Sequence, residues 1–337
     1  MDTAFRKWKQ WLRVKSPSMK KLMLRSLLLV LGGTFFFGLI GLVFTWAPDI
    51  PVQELTARWA RPPSQFLEIN GMQVHLRDEG PHDDPAPIVL LHGTSASLHT
   101  WEGWAQALRD KRRVIRFDLP GFALTGPNRQ NDYSIATYVT FVRAAMDKLG
   151  VQRFVVAGNS LGGEIAWSVA AQMPDRVAGL ILVDASGYAP ETFGDKRSVP
   201  LGFRIATTPG LRSIMQYTLP RGVVERSVRN VYGDPSKVTP ELVDLYMDMT
   251  QREGNRQALA RRFEQGDTAD VSQLKKITAR TLVLWGGKDR LVPLEAGRRF
   301  AKDIAGAKLV VYDDLGHVPQ EEDPARTVAE VKRFLAP

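Results

Sequence analysis

Short apolar runs alternate with longer segments of helical periodicity over most of the chain. Runs of this kind suit strands that are buried on both faces of a sheet. Strands that alternate with helices predict a mostly parallel sheet flanked by helices, which is an α/β architecture. The predicted strands are IVLL at 88, RVIRF at 113, FVVA at 154, LILV at 180, TLVLW at 281 and KLVVY at 308.

A hairpin precedes these runs. Residues 66–69 and 72–77 flank Asn70-Gly71, a pair that accepts the positive φ angles of a type I′ turn. Its two strands bring the predicted sheet to eight, and the catalytic domain is predicted to begin at Phe66 and to extend over residues 66–337.

The interval between LILV and TLVLW is too long for an ordinary crossover. It is rich in helix-forming residues and is interrupted by prolines. We therefore predict an inserted, mainly helical cap at about residues 188–276. The prolines are Pro200, Pro209, Pro220, Pro235 and Pro240.

Residues 26–46 contain no charged side chain. A helix of this length spans about 30 Å, the thickness of the hydrocarbon core of a bilayer. A cleaved signal peptide has a shorter apolar region of about 7 to 15 residues, so a retained transmembrane anchor is predicted. Residues 47–65 are polar and rich in proline, which predicts a linker between this anchor and the catalytic domain.

Residues 1–25 form a basic tail with eight Lys and Arg side chains and one Asp. Basic residues next to a span favour the cytoplasmic side. The N-terminus is therefore predicted to be cytoplasmic and the catalytic domain non-cytoplasmic, which means periplasmic in a Gram-negative bacterium. The lipid bilayer is the partner predicted for residues 26–46.

The net charge of +9 is concentrated in this tail, and the rest of the chain is close to neutral. A nearly neutral body argues against a nucleic-acid-binding surface. The chain has no cysteine, which excludes disulfides, thiolate nucleophiles and zinc–thiolate sites.

Ser160 lies in a G-x-S-x-G motif, directly after an apolar strand and directly before a helical segment. A sharp strand-to-helix turn at this place would project the serine hydroxyl from the sheet, with Gly158 and Gly162 leaving room for the backbone. Ser160 is therefore the predicted nucleophile. The backbone N–H groups of Leu161 and of Thr94, which follows the strand at 88, are the predicted oxyanion hole.

A serine nucleophile needs a base within hydrogen-bond reach, and His317 follows the last apolar run. His92 is predicted to brace its loop. The remaining histidines, His75, His82 and His99, are predicted to be surface or lining residues.

The imidazole also needs a carboxylate to fix its tautomer. Asp289 and Asp184 each follow a predicted strand, and both are candidates. Asp289, which follows TLVLW, is favoured, while Asp184, which follows LILV, is interpreted as a structural residue that ends its own strand.

The segments HGTSASLHTW, DLPGFALTG, GNSLGG, WGGKDRLVP and LGHVP together resemble the successive signatures of the α/β-hydrolase superfamily, over about residues 66–337. Within it the chain is similar to a capped group that includes carboxylesterases, meta-cleavage-product C–C hydrolases and cofactor-free perhydrolases. Haloalkane dehalogenases and epoxide hydrolases resemble it too, but their nucleophile is an aspartate where this chain has Ser160.

The resemblance implies cleavage of a small hydrophobic carboxylic ester through an acyl-enzyme, with no cofactor and no metal. Cleavage of a C–C bond and perhydrolysis remain alternatives, although C–C hydrolases often carry a more glycine-rich oxyanion loop. A non-catalytic membrane-tethered binding protein or a membrane scaffold is the alternative from another class. Substrate identity and oligomeric state stay open.

Overall fold

The computed structural model describes residues 2–189, 208, 217–266 and 268–336. The chain forms two compact units, and the boundary between them along the chain lies between Trp46 and Ala47. The first unit is one helix, α1, from Asp2–Thr45. Its stretch Lys21–Gly38 is long and apolar enough to cross a membrane. Large apolar side chains along α1 are exposed, among them Leu29 and Phe35.

The second unit contains one eight-stranded sheet in the described residues, in the order β1-β2-β4-β3-β5-β6-β7-β8. β2 pairs antiparallel with β1 and with β4, and every other pairing is parallel. The predicted α/β-hydrolase architecture is thereby confirmed. The strands are β1 Gln65–Ile69, β2 Met72–Glu79, β3 Ile88–Leu91, β4 Val114–Phe117, β5 Phe154–Asn159, β6 Val177–Val183, β7 Thr281–Gly286 and β8 Lys308–Tyr312.

The predicted turn between β1 and β2 is present, with φ of 50° at Asn70 and 76° at Gly71. Gly71 adopts this left-handed conformation without the steric cost that a side chain brings. The turn therefore sets the register that pairs Ile69 with Met72.

Helices cover both faces of the sheet. Alternate residues of β3 pack into two different apolar clusters, Val89 and Leu91 on one face and Ile88 and Leu90 on the other. This is why the strand is apolar throughout. The helices of the sheet layers are α3 Glu102–Leu108, α4 Ile135–Lys148, α5 Leu161–Gln172, α9 Leu294–Asp303, α10 Pro319–Glu322 and α11 Pro324–Leu335.

The predicted cap is helical where the structure describes it, with α6 Arg221–Val231, α7 Pro240–Gln251 and α8 Asn255–Gln265. Thr239 caps α7 by accepting a hydrogen bond from the backbone N–H of Leu242. Residues 190–207, 209–216 and 267 of the predicted cap lie outside the described residues.

The segment predicted as a linker belongs to the folded unit instead. It contains a helix, α2 Val52–Trp59, whose Leu55 is buried against Ala123, Leu124 and Met249. The buried side chain of Arg256 forms an ion pair with Asp49 (2.6 Å). The polar composition of residues 47–65 reflects the solvent-facing side of α2, while its few apolar residues lie on the side that packs.

Candidate active site

Ser160 lies at the turn between β5 and α5, with φ of 54° and ψ of −118°. A non-glycine residue in this region is strained and persists only where the surrounding structure enforces it. The space around the turn is minimal, because a Cβ on Gly158 would lie 2.0 Å from the carbonyl oxygen of Gly162. A Cβ on Gly162 would lie 2.1 Å from the carbonyl oxygen of Leu91. Both glycines are thus required for the turn.

Leu161 is the first residue of α5, and Thr94 lies in the loop after β3. This loop approaches the nucleophile closely, since a Cβ on Gly93 would lie 3.1 Å from the Cβ of Ser160. The two N–H groups predicted to form the oxyanion hole are therefore carried by segments that adjoin Ser160. His92 braces the loop as predicted, because it contacts the carbonyl oxygen of Gly93 and accepts a hydrogen bond from the N–H of Leu119.

His317 pairs with Asp289 through a 2.7 Å hydrogen bond between Nδ1 and Oδ2, and both residues are buried. The other oxygen of Asp289 accepts hydrogen bonds from the N–H groups of Leu291 (2.7 Å) and Val292 (3.1 Å). These bonds hold the carboxylate in place. Because Nδ1 of His317 is engaged by the acid, Nε2 is the nitrogen left to act on a serine hydroxyl.

Asn159 connects the nucleophile to this pair, although sequence reasoning assigned it no role. Its side-chain amide donates to the carbonyl oxygens of His317 (2.8 Å) and Val183 (3.1 Å). The residue directly before Ser160 is thereby bonded to the residue predicted as base. A buried amide at the end of the apolar strand FVVAGN was the signal that could have identified it.

Glu322 is a second supporting residue that the sequence did not reveal. Its carboxylate accepts hydrogen bonds from the backbone N–H groups of Gly233, Asp234 and Gly316, each 2.8 Å long. Gly316 directly precedes His317, so Glu322 fixes the backbone that carries the imidazole and joins it to the cap.

Asp184 also lies beside the pair, and possible ligand atoms of Asp184, Asp289 and His317 fall within 4.8 Å of one another. Its Oδ1 accepts a hydrogen bond from the N–H of Gly286 (2.9 Å). Burial, followed by the nearby charge of Asp289, raises the pKa of Asp184 well above its usual range. Burial beside a second carboxylate thus favours the protonated form of Asp184.

The same three side chains could be interpreted as a metal site. Two ligands of a transition metal each lie about 2.0 to 2.2 Å from the ion, which separates the ligand atoms by about 3 Å or more. The 2.7 Å contact between Asp289 and His317 is shorter and is the length of a charge-assisted hydrogen bond. The geometry fits an oriented imidazole better than a metal ligand set.

One prediction about the other histidines is wrong. His75 is completely buried, where it contacts Asp118 through Nδ1 (2.7 Å) and Ser64 through Nε2 (2.9 Å). Burial opposes the charge of Asp118, but the attraction and hydrogen bond of His75 lower the pKa of Asp118 to about 2. The alternation of residues along β2 assigns His75 to one face of the sheet. It could not show that α2 and its flanking residues cover that face.

Comparison with known proteins agrees with this geometry. A family model described as alpha/beta hydrolase family matches residues 88–331. The uncharacterized hydrolase YugF of Bacillus subtilis is 30% identical over 277 residues, which cover 81% of this chain and 98% of that protein. The 2-hydroxy-6-oxo-2,4-heptadienoate hydrolase of Pseudomonas putida is 28% identical over 276 residues, which cover 79% and 94%.

Among solved structures, a membrane phospholipase A described as a bacterial virulence factor is similar with a TM-score of 0.69. The match covers 94% of this chain and 98% of that one at 23% sequence identity, a likeness that shows the fold. The family model and the two relatives named as hydrolases support hydrolase activity. The chain belongs to the α/β hydrolase family.

Proposed function

We propose that this protein is a serine hydrolase that cleaves carboxylic esters, with Ser160 as nucleophile, His317 as general base and Asp289 as the acid that orients the imidazole. The observation that carries the proposal is the strained backbone of Ser160 at the start of α5, beside the Asn159 amide that is bonded to the backbone of His317. Backbone strain of this kind clusters at active sites.

The reaction proceeds in two steps. The Ser160 hydroxyl attacks the ester carbonyl while His317 Nε2 accepts its proton, and the N–H groups of Thr94 and Leu161 stabilise the oxyanion that forms. The alcohol leaves with the proton from His317. Water then attacks the acyl-enzyme with His317 again as base, which releases the carboxylic acid and restores the serine.

The experiment is hydrolysis of p-nitrophenyl butyrate and p-nitrophenyl palmitate by the full chain in detergent, beside Ser160→Ala. We expect the substitution to lower kcat by about a thousandfold or more, because the nucleophile is removed while the oxyanion donors remain. Ser272→Ala, an exposed serine, is the matched control and should keep full activity. Equal turnover by Ser160→Ala and the unmodified chain would overturn the proposal.

A second candidate is hydrolysis of a C–C bond. The relative from Pseudomonas putida named for such a dienoate substrate favours it, with 28% identity over 79% of this chain. The test is decay of the absorbance of 2-hydroxy-6-oxo-2,4-heptadienoate, measured on the same preparations. Turnover of this compound without turnover of either ester would replace the ester proposal.

Cofactor-free perhydrolysis, the remaining alternative, is tested by adding hydrogen peroxide and acetate to the same preparations.

We further propose that the protein is anchored in a membrane by α1. The apolar stretch Lys21–Gly38, the exposed leucines and phenylalanines of α1 and the basic residues that precede them support this. A phospholipid with long acyl chains therefore belongs among the substrates to be tested, since a membrane phospholipase A has a similar fold.

A further inference from the structure

The described residues leave a cavity of about 10 Å³ between the loop after β3 and the cap, which is room for one water-sized group. Residues 95–97 and Thr100 line it from the loop, and Tyr246 and Met249 line it from α7. Glu321 of α10 completes the wall and is the charged side chain among these lining residues.

The carboxylate of Glu321 accepts hydrogen bonds from side-chain hydroxyl groups. Tyr232 donates to its Oε1 (2.6 Å) and Tyr246 donates to its Oε2 (3.4 Å), while Thr100 also forms a hydrogen bond with it. Burial and the charge of Glu321 raise the pKa of Tyr232, and burial raises the pKa of Tyr246, so both phenols stay protonated. These partners can solvate a carboxylate, but none of them can neutralise it.

No Lys or Arg of the described ranges forms an ion pair with Glu321. Elsewhere in the unit the buried carboxylate of Glu79 is paired with Arg116, and that of Asp78 is paired with Arg113. A buried carboxylate without a counter-ion is unfavourable. Burial accordingly raises the pKa of Glu321. A ligand that brings a positive charge would relieve this penalty.

The next residue, Glu322, has hydrogen-bond partners of a different kind. Glu322 accepts three backbone N–H groups and fixes the loop of Gly316. Glu321 has side-chain hydroxyls as its described partners and faces a cavity, so the two adjacent carboxylates have different surroundings.

The loop that lines the cavity also approaches the nucleophile. Gly93, which packs against Ser160, stands two residues before Ser95, and Ser95 lines the cavity. Ser95 and Met249 also line a second small cavity whose walls include the apolar residues Phe122 and Leu259. Two small cavities therefore share part of the wall formed by the loop that carries the predicted oxyanion donor.

We propose that the Glu321 cavity binds a primary ammonium group of the substrate, so that the enzyme prefers esters with a protonated amine in their alcohol or acyl part. This inference rests on the proposed function. A primary ammonium is about the size of a water molecule and offers three N–H donors to the carboxylate, whereas a trimethylammonium group exceeds the cavity volume.

The test measures binding rather than turnover, by calorimetry on the full-length Ser160→Ala protein in detergent. The probes are n-butylammonium chloride, 1-butanol and tetramethylammonium chloride. We expect n-butylammonium to bind at least about tenfold more tightly than either other probe, since each 1.4 kcal/mol of charge pairing is a factor of ten. Equal affinity for 1-butanol and n-butylammonium would overturn the proposal even without a further variant.

Glu321→Gln, added to this protein, keeps the shape of the side chain and removes its charge. We expect it to weaken n-butylammonium binding about tenfold or more, while Glu295→Gln, an exposed carboxylate on α9, changes nothing. Thermal unfolding verifies that both variants are folded. Unchanged binding in folded Glu321→Gln would refute the subsite. Because no hydrolysis is measured, this outcome is distinct from a failure of the esterase proposal.

Discussion

Two carboxyl groups lie close to one imidazole, and their hydrogen bonds distinguish them. Asp289 forms the 2.7 Å hydrogen bond to His317 and accepts two backbone N–H groups, which hold the carboxylate in place. Asp184 is buried beside it and accepts the N–H of Gly286, and burial, followed by the charge of Asp289, raises its pKa. Residue-scale geometry therefore supports Asp289 as the acid, which is also the candidate favoured from the sequence.

This assignment predicts a large difference between two equivalent substitutions. Asp289→Asn should lower kcat for p-nitrophenyl butyrate by about 10³- to 10⁴-fold, because an amide no longer selects the required tautomer of His317. In Asp184→Asn the amide oxygen can still accept the N–H of Gly286, so kcat should fall less than about tenfold. Steady-state kinetics at pH 7.5 decide the matter. A larger loss in Asp184→Asn would assign the acid to Asp184.

At the scale of elements, residues 47–65, which contain α2 and are called the strap here, contact both the cap and the sheet. Trp59 donates its indole N–H to Asp248 of α7, and Arg58 pairs with the same carboxylate. Ser64 reaches the buried His75 on β2. A catalytic body that begins at Phe66 lacks all of these contacts.

Truncation tests the strap directly. A chain that begins at residue 66 should unfold at least about 3 °C below one that begins at residue 47, since the burial of Leu55 alone is worth about 1.5–3 kcal/mol and each kcal/mol corresponds to about 2–4 °C. The measurement is thermal unfolding followed by circular dichroism, with ester turnover as a second readout. Identical transitions would mean that residues 47–65 are a linker after all.

The contacts of the strap also lead us to expect that stability depends on pH. His99 contacts the carbonyl oxygen of Trp59 (3.2 Å) and the hydroxyl of Ser97 (3.0 Å). Burial lowers the pKa of His99 to about 4, so folding favours its neutral form. This contribution is complete above the unfolded pKa of about 6.5 and is lost as the pH falls from there towards 4.

We expect the free energy of unfolding to fall by on the order of 1–3 kcal/mol across this window. His99→Gln, which keeps a side-chain hydrogen-bonding group and cannot titrate, should flatten the profile between pH 6.5 and 4. Denaturant titrations at intervals of half a pH unit provide the measurement. A profile of the same slope in the variant would show that another group is responsible.

At the scale of the whole molecule, the proposed topology predicts which parts are accessible from each side of a membrane. The chain has no cysteine, so a single introduced thiol reports its own location without background. Ser272→Cys should react with a membrane-impermeant maleimide in intact spheroplasts, and Thr3→Cys should react only after permeabilisation. The reverse pattern would contradict the predicted orientation, and release of the protein by alkaline carbonate would contradict the anchor itself.

The sequence by itself determined the strands, the hairpin at Asn70-Gly71 and the order of Ser160, Asp289 and His317. These features depend on local periodicity, on turn chemistry and on chain order, all of which can be identified from the sequence alone. The role of Gly158 and Gly162 could also be predicted from the sequence, because a sharp strand-to-helix turn leaves no room for a side chain at these positions.

Only the tertiary structure decided which distant residues meet. The packing of Leu55 on Met249, the burial of His75 beneath the strap, the different environments of Asp184 and Asp289 and the cavity at Glu321 all depend on contacts between segments far apart in the chain. A polar segment such as 47–65 has no periodic signature strong enough to reveal a partner. Burial and charge pairing, which set protonation and strength of binding, exist only after the chain has folded.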